Sequence, residues 1–325
     1  MDQHNQETRS LIMCTTPLQM LIAEKIIKIN REDNFDLIVI ALNDNEKYSL
    51  YYKRLSRLCI SSLYYKTQPG LKGFNNYIKK LKENKLNKNY SNLYLASIDS
   101  RHLQYIVSKN YTSNIYTFDD GTANIIPNSI YYSDIEPPKW KKIIWSIMGI
   151  KYYMKDIKKI SKLHYTLYNN IPNIIDNTFV ISLYDNENKK FIKENSINNI
   201  IKIYLGQPLC EISNNFTDKY IVRSIENLKI DYYYPHPREK NIPKGNYKII
   251  NTPLIFEDYI MVFLKNNPNC KIEIYSFIST ATINLVGLNR IVLNYIYDEY
   301  LHNNYKEFYE FSEKKFGIMS LEVDS

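Results

Sequence analysis

Apolar residues come in short runs along this chain, separated by longer amphipathic stretches. The first run, Leu-Ile-Met-Cys at 11–14, is followed by Thr15-Thr16-Pro17-Leu18-Gln19 and then by residues with helical periodicity. Such a run, bounded by polar residues, predicts a buried strand. Thr16 can then cap a helix whose first position is Pro17, the residue favoured there. Runs at 37–41 and 93–96 predict two further strands, with lysine-rich helical sequence from about 47 to 88 between them. Residues 97–100 lead into a helix ending near Ser108, and 115–118 predict the next strand. Strands alternating with helices argue for an α/β fold with a parallel sheet.

The alternation resumes after an Asn-rich stretch at about 169–177 that carries Pro172, which predicts a linker. Strands are expected at 179–182, 200–205, 230–234, 272–276 and 291–295, and helices over 217–227, after 251, and over 301–316. At 325 residues the chain exceeds the usual size of one hydrophobic core. Two domains are therefore expected, 1–170 and 171–325, with the last helix placed to return to the first.

Hydrophobic residues make up 44% and charged residues 23%, the balance of a folded chain rather than a disordered one. Cys14, Cys59, Cys210 and Cys270 are widely separated and form no CxxC, so neither a zinc site nor a dense disulfide framework is indicated. A reducing cytosol fits. The polar start at 1–6 lacks a signal-peptide core and no run of about 18 apolar residues occurs, so neither export by that route nor a membrane span is expected.

The net charge of +8 admits a nucleic acid, an anionic membrane surface or an anionic substrate as partner. No zinc-finger spacing or RNA-binding signature accompanies it, which places nucleic acid last. Between 137 and 170 the chain is basic and aromatic, with Lys139, Trp140, Lys141, Lys142, Trp145 and Lys151 among its residues. This stretch reads either as a core-facing helix with a solvated lysine face or as an amphipathic helix lying on a membrane.

Candidate chemistry gathers at predicted strand ends. His236 stands between Pro235 and Pro237, which fix φ on both sides and aim the imidazole away from the strand. Asp119-Asp120-Gly121 ends the 115–118 strand, where open α/β sheets bind ligands. Two adjacent carboxylates suit a general base, and an Asp-Gly turn explains them equally well. Gly206 follows the 200–205 strand, and Ser279 and Thr280 follow 272–276, pairing hydroxyl donors with helix N–H groups as a phosphate requires. Glu257 sits at a helix start between His236 and Ser279. The turn Thr15-Thr16-Pro17 with Gln19 also directs N–H groups past a strand end.

Taken in order, Cys-Thr-Thr-Pro-Leu-Gln, Asp-Asp-Gly, Tyr-Tyr-Pro-His-Pro-Arg-Glu, Phe-Glu-Asp-Tyr and Tyr-Ser-Phe-Ile-Ser-Thr-Ala resemble motifs of the bacterial sialyltransferases of glycosyltransferase family 52, the lipooligosaccharide sialyltransferases. The resemblance runs from about Leu11 to Tyr295. It implies a GT-B fold, two Rossmann-like domains facing across a cleft. It also implies an inverting transfer of sialic acid from CMP-sialic acid to a terminal galactose, commonly at O3, with no cofactor and no essential metal. By motif, His236 would contact the donor phosphate and assist CMP departure, with Ser279 and Thr280 on the same phosphate. Glu257 would bind the ribose hydroxyls, and Gly206 with Pro237 would line the cytidine pocket. The base would be Asp119 or Asp120, or Glu211 in the segment before the His-Pro motif.

The residue types suit that chemistry. Loss of CMP leaves an oxocarbenium-like centre, and the incoming hydroxyl needs a carboxylate within hydrogen-bond reach. The departing phosphate needs a cation or proton donor, which a histidine supplies near neutral pH. The acceptor would be a galactose-terminated oligosaccharide or lipooligosaccharide, reached from the cytoplasm, with peripheral contact at the inner face of the cytoplasmic membrane and a homodimer both compatible. Two alternatives stay open: another transferase on the same scaffold, such as an α-glucosyltransferase, and a non-catalytic glycan- or membrane-binding protein.

Overall fold

The computed structural model describes residues 9–133, 135–184, 199–239 and 241–323; the polar start at 1–6 lies outside them. The chain divides into two compact units, 1–183 and 184–325.

The first unit runs β1 (Arg9–Cys14), α1 (Pro17–Ile29), β2 (Asn34–Ala41), α2 (Glu46–Ser56), β3 (Ser61–Lys66), α3 (Gly70–Glu83), β4 (Asn92–Leu95), α4 (Arg101–Lys109) and β5 (Asn114–Phe118). It continues with α5 (Lys139–Ile147), α6 (Met154–Ile160), β6 (Ser161–Thr166) and β7 (Thr178–Val180). Among the described residues these strands form one parallel sheet in the order β3-β2-β1-β4-β5-β6-β7. The chain winds outward from β1 in one direction, then returns beside β1 with β4 and winds the other way. This is the doubly wound Rossmann order, and its switch point lies between β1 and β4.

Burial explains the central strands. Leu11, Ile12, Met13, Leu37, Ile38, Val39 and Ile40 are closed to solvent, as expected where helices cover both faces of a parallel sheet. Thr16 caps α1 through its hydroxyl, which accepts from the Gln19 N–H at 3.3 Å, and Pro17 is at the first helical position, as expected.

The second unit runs β8 (Asn199–Leu205), α7 (Asp218–Glu226), β9 (Tyr232–Tyr234), β10 (Lys248–Ile249), α8 (Phe256–Asn266), β11 (Cys270–Ser276), α9 (Thr280–Ile283), β12 (Ile291–Ile296), α10 (Glu299–Asn304), α11 (Lys306–Phe316) and β13 (Met319–Leu321). Its strands are again parallel, in the order β10-β9-β8-β11-β12-β13, the same winding with its switch point between β8 and β11. Ile203, Ile260, Ile272 and Ile274 centre its core. The last helix packs on its own sheet: the Tyr309 hydroxyl donates to the Phe277 carbonyl at 2.7 Å, and its ring meets Tyr295 edge-on. Two Rossmann-like units in one chain are the composition expected of the GT-B type.

Several elements differ from the sequence reading, among them the helix expected over 301–316, which breaks at Tyr305 into α10 and α11. The stretch 47–88 is broken by β3, an edge strand whose Ser-Ser-Leu-Tyr-Tyr-Lys pattern buries Leu63 and Tyr65 on one face. β6 interrupts the basic region, its His164 fully buried rather than solvated. The segment at 179–182 belongs to the first sheet, where β7 pairs with β6; Thr178–Val180 are exposed at the sheet's edge, and Ile181 is buried.

Candidate active site

In the second unit the carboxyl ends of β8, β9 and β11 are fastened together by two side chains. Gln207, just past β8, accepts from the Phe277 and Ile278 N–H groups through Oε1 at 2.9 and 3.0 Å. It thereby straddles the switch point, where open α/β sheets bind ligands. Glu239 does the same for β8 and β9. Its Oε2 accepts from the His236 N–H at 2.7 Å, and its Oε1 from the Tyr233 hydroxyl at 2.6 Å and the Gln207 N–H at 3.2 Å.

His236 leaves the end of β9 half-buried, and its Nδ1 accepts from the Arg238 N–H at 3.1 Å. With Nδ1 an acceptor, the neutral ring carries its proton on Nε2. The imidazole is thus fixed by its own turn with the donor nitrogen at the far end. Pro237 and Arg238 are exposed beside it.

Past β11, Ser279 caps the single-turn α9, its hydroxyl oxygen accepting from the Ala281 N–H at 3.3 Å. Its carbonyl is held by the Thr282 and Tyr295 hydroxyls at 2.6 and 3.0 Å. Thr280 is exposed next to it. Through Gln207, the Ser279-Thr280 segment and the His236 turn share one framework. Glu257, in the first turn of α8, is 5% exposed and accepts from the Asn284 amide at 2.8 Å.

Gly206 is buried, and its N–H donates to the Tyr234 carbonyl at 2.8 Å. A Cβ there would overlap Glu239 Oε2 and the Tyr233 ring. The glycine makes room for a carboxylate, a reason the sequence reading did not find.

Glu211 lies in a short 3-10 turn after β8, with 44% of its side chain exposed, and its Oε2 pairs with Arg238 Nη1 at 2.8 Å. A solvent-facing carboxylate is therefore tied, through the end of the Arg238 side chain, to the residue two places along from the histidine.

In the first unit, polar side chains meet at the β1/β4 switch point. The hydroxyls of Thr15 and Ser97 are 2.7 Å apart, and the Gln19 amide donates to Ser97 Oγ at 2.9 Å and to Asp120 Oδ1. Asp120 Oδ2 accepts from Ser97 at 3.0 Å and from the Tyr131 hydroxyl at 2.6 Å. Tyr131 also reaches Asp99 at 3.2 Å. Gly121, at φ +66°, turns the chain there into a 3-10 turn, the left-handed geometry that glycine accepts without strain.

The neighbouring Asp119 points the other way. Its side chain is closed to solvent, with His164 Nε2 at 2.9 Å from Oδ1, and Thr166 Oγ1 and the Leu167 N–H at 2.9 and 2.6 Å from Oδ2. His164 Nδ1 in turn lies 2.8 Å from the Thr117 hydroxyl. This network joins β5 to β6 inside the sheet and leaves no path for an incoming hydroxyl. The structure therefore separates the two acids: Asp120 faces the switch point, and Asp119 locks the sheet.

The sequence reading assigned no role to Gln207, Glu239, Ser97 or Tyr131. A signal for Glu239 was present, since a carboxylate three residues after a turn residue is spaced to fold back on its N–H, as in a capping box. Ser97 and Tyr131 carry no such local signal. Among the described residues, no group of three or more His, Cys, Asp or Glu side chains is placed to hold a metal ion, and no helix is long and apolar enough to cross a membrane.

The chain is similar to named proteins over most of its length. It is 35% identical over 86% of its residues to the CMP-N-acetylneuraminate:beta-galactoside alpha-2,3-sialyltransferase of Pasteurella multocida, covering 87% of that protein. It is 34% identical over 88% of its residues to the N-acetyllactosaminide alpha-2,3-sialyltransferase of Haemophilus influenzae, covering 91% of that protein. Among solved structures, a UDP-N-acetylglucosamine 2-epimerase superposes with a TM-score of 0.49 at 10% identity, over 98% of this chain and 84% of that one. Residues 32–297 match the model of glycosyltransferase family 52. The chain belongs to glycosyltransferase family 52.

Proposed function

We propose that this protein is a sialyltransferase that moves sialic acid from CMP-sialic acid to a terminal galactose, at O3, of a bacterial surface glycan such as lipooligosaccharide. The observation that carries the reading is the fixed His236 turn, linked through Glu239 and Gln207 to the backbone that leads to Ser279 and Thr280, in a chain whose relatives bear alpha-2,3-sialyltransferase names. The donor phosphate is held by His236 Nε2–H and by the hydroxyls of Ser279 and Thr280. Such preorganised donors stabilise the charge that develops as CMP leaves. No metal is needed in this scheme, because the histidine proton and the Ser279 and Thr280 hydroxyls meet that charge. Glu257 stands for the ribose hydroxyls and Pro237 borders the cytidine, while Gly206, whose Cβ space is taken by Glu239 and Tyr233, serves the pocket through that carboxylate.

The base is Glu211. Its exposed carboxylate stands next to the histidine turn, whereas Asp119 is shut inside the sheet and Asp120 is engaged by Gln19, Ser97 and Tyr131. In one displacement the galactose O3–H gives its proton to Glu211 while the new C–O bond forms at the anomeric carbon. The bond from that carbon to the phosphate oxygen breaks on the opposite face, so configuration inverts. The cluster of Thr15, Gln19, Ser97, Asp120 and Tyr131 offers hydroxyl, amide and carboxylate groups of the kind that bind a sugar.

We further propose that the enzyme works from the cytoplasm against an anionic membrane. On α5, Trp140, Ile143 and Ile147 are 60%, 64% and 81% exposed along one face, with Lys139 and Lys141 at its border. Trp145, on the opposite face, packs edge-on against Phe74 and anchors the helix.

The deciding experiment measures CMP release from CMP-sialic acid with and without lactose, for the wild type and His236→Ala. Lactose-dependent release is expected, falling to near background in the variant with its melting curve unchanged. Full turnover by His236→Ala would sink the mechanism, and UDP release from UDP-glucose with no CMP release from CMP-sialic acid would favour another transferase.

A further inference from the structure

Glu239 touches neither nucleotide nor acceptor in the scheme above, yet the phosphate site is assembled around it. Its carboxylate receives the backbone N–H groups of His236 and Gln207 and the hydroxyl of Tyr233, while its own N–H donates to the His236 carbonyl at 3.0 Å. The contacts form a chain: the His236 turn rests on Glu239, Glu239 on Gln207, and Gln207 on the Phe277-Ile278 backbone that leads to Ser279. Gly206 leaves the space that the carboxylate occupies.

We propose that Glu239 is the positioning residue of the phosphate site: its carboxylate fixes the His236 turn to the end of β8, and position 206 is glycine because of it. The proposal rests on the reading that His236 contacts the donor phosphate. The carboxylate is required as an acceptor on both oxygens. In Glu239→Gln the amide nitrogen must face either the His236 N–H or the Gln207 N–H, donor against donor, whichever way the side chain is turned. The turn is then released although the side chain's size is unchanged. Gly206→Ala displaces the same carboxylate from the other side, so the two substitutions act through one interaction and do not add.

CMP binding by calorimetry and donor kinetics test this on the wild type, Glu239→Gln, Gly206→Ala and the double variant. Loss of one hydrogen bond to a charged acceptor predicts a weakening of CMP binding and a rise in donor KM of roughly 10- to 100-fold, with acceptor KM unchanged. The melting temperature of Glu239→Gln should change little, since the N–H group left without an acceptor and the removal of a half-buried charge act in opposite directions. The double variant should be no worse than the poorer single. Wild-type CMP affinity in Glu239→Gln, or a loss matched by a drop in melting temperature, would overturn the proposal. A ligand-free measurement separates this failure from failure of the functional reading. With selective 15N-histidine labelling the five histidines give distinct amide signals, and that of His236 should exchange with solvent faster in Glu239→Gln and Gly206→Ala. If the wild type does not bind CMP, the functional reading fails and the amide exchange decides the role of Glu239; unchanged exchange overturns it.

Discussion

Asp119 and His164 hold each other at 2.9 Å with both side chains closed to solvent. The pair is strand-to-strand architecture, since Asp119 directly follows β5 and His164 lies within β6. Removing one partner of a buried pair leaves the other polar group stranded and costs about 3–5 kcal/mol. Asp119→Ala is therefore expected to lower the melting temperature by roughly 10 °C in a unit of this size. Turnover per folded molecule, assayed well below that temperature, should stay within a few-fold of wild type. A large loss of kcat with an unchanged melting curve would restore Asp119 as a candidate base.

The two remaining carboxylates separate by kinetic signature. Glu211→Gln is expected to reduce kcat by on the order of 10²–10⁴, the usual contribution of a general base. Its melting temperature should barely move, because an exposed ion pair such as Glu211 with Arg238 contributes at most about 1 kcal/mol. Asp120→Asn should raise acceptor KM while leaving donor KM unchanged. Steady-state kinetics with lactose and CMP-sialic acid each varied at saturating levels of the other checks both, and the opposite pattern, a collapse of kcat in Asp120→Asn with Glu211→Gln nearly intact, would transfer the base to Asp120.

Much of this organisation could be read from the residues, and the exceptions share a cause. The runs at 11–14, 37–41 and 93–96 are legible because a parallel strand covered on both faces is apolar at every position. Strand β3 is not, because an edge strand keeps one side polar or exposed; β7 is legible as a strand but not as a member of the first sheet, and β6 carries a histidine whose partner lies 45 residues earlier. The same distinction runs through the site. His236 is legible because its prolines are its neighbours in sequence. The reason for Gly206 is 33 residues away at Glu239, and the difference between Asp119 and Asp120 depends on Tyr131, Ser97 and His164.

The exposed face of α5 predicts a measurable membrane affinity. Partly inserting Trp140, Ile143 and Ile147 removes apolar surface from water, and nearby lysines add attraction to anionic headgroups. The protein should co-sediment with phosphatidylglycerol-containing vesicles and much less with pure phosphatidylcholine, with binding weakened by salt. Combining Trp140→Ala, Ile143→Ser and Ile147→Ser should reduce partitioning by roughly tenfold or more while turnover on lactose stays the same. Unchanged partitioning in the triple variant would remove α5 from the membrane reading.

Glu239 predicts a pH dependence of stability with a definite sign. Burial, offset in part by the Tyr233, His236 and Gln207 donors and reinforced by the charge of Asp218, raises its carboxyl to about 7 from 4.5. The folded protein thus binds this proton more tightly than the unfolded chain does. The resulting stabilisation is fully present below about pH 4.5 and is lost as pH rises through 7. A shift of this size corresponds to on the order of 3 kcal/mol. Tyr204, Tyr233 and Tyr247, which surround the carboxylate, have pKa values raised by burial and do not titrate in this window. Urea unfolding of the wild type and Glu239→Gln at pH 5 and pH 8 isolates the effect. The wild type should lose stability relative to the variant between the two, making Glu239→Gln the more stable protein at pH 8 and the weaker CMP binder. Parallel pH profiles in the two proteins would show that Glu239 does not titrate there. The expected divergence means that the charge holding the His236 turn is kept at the expense of the fold around it.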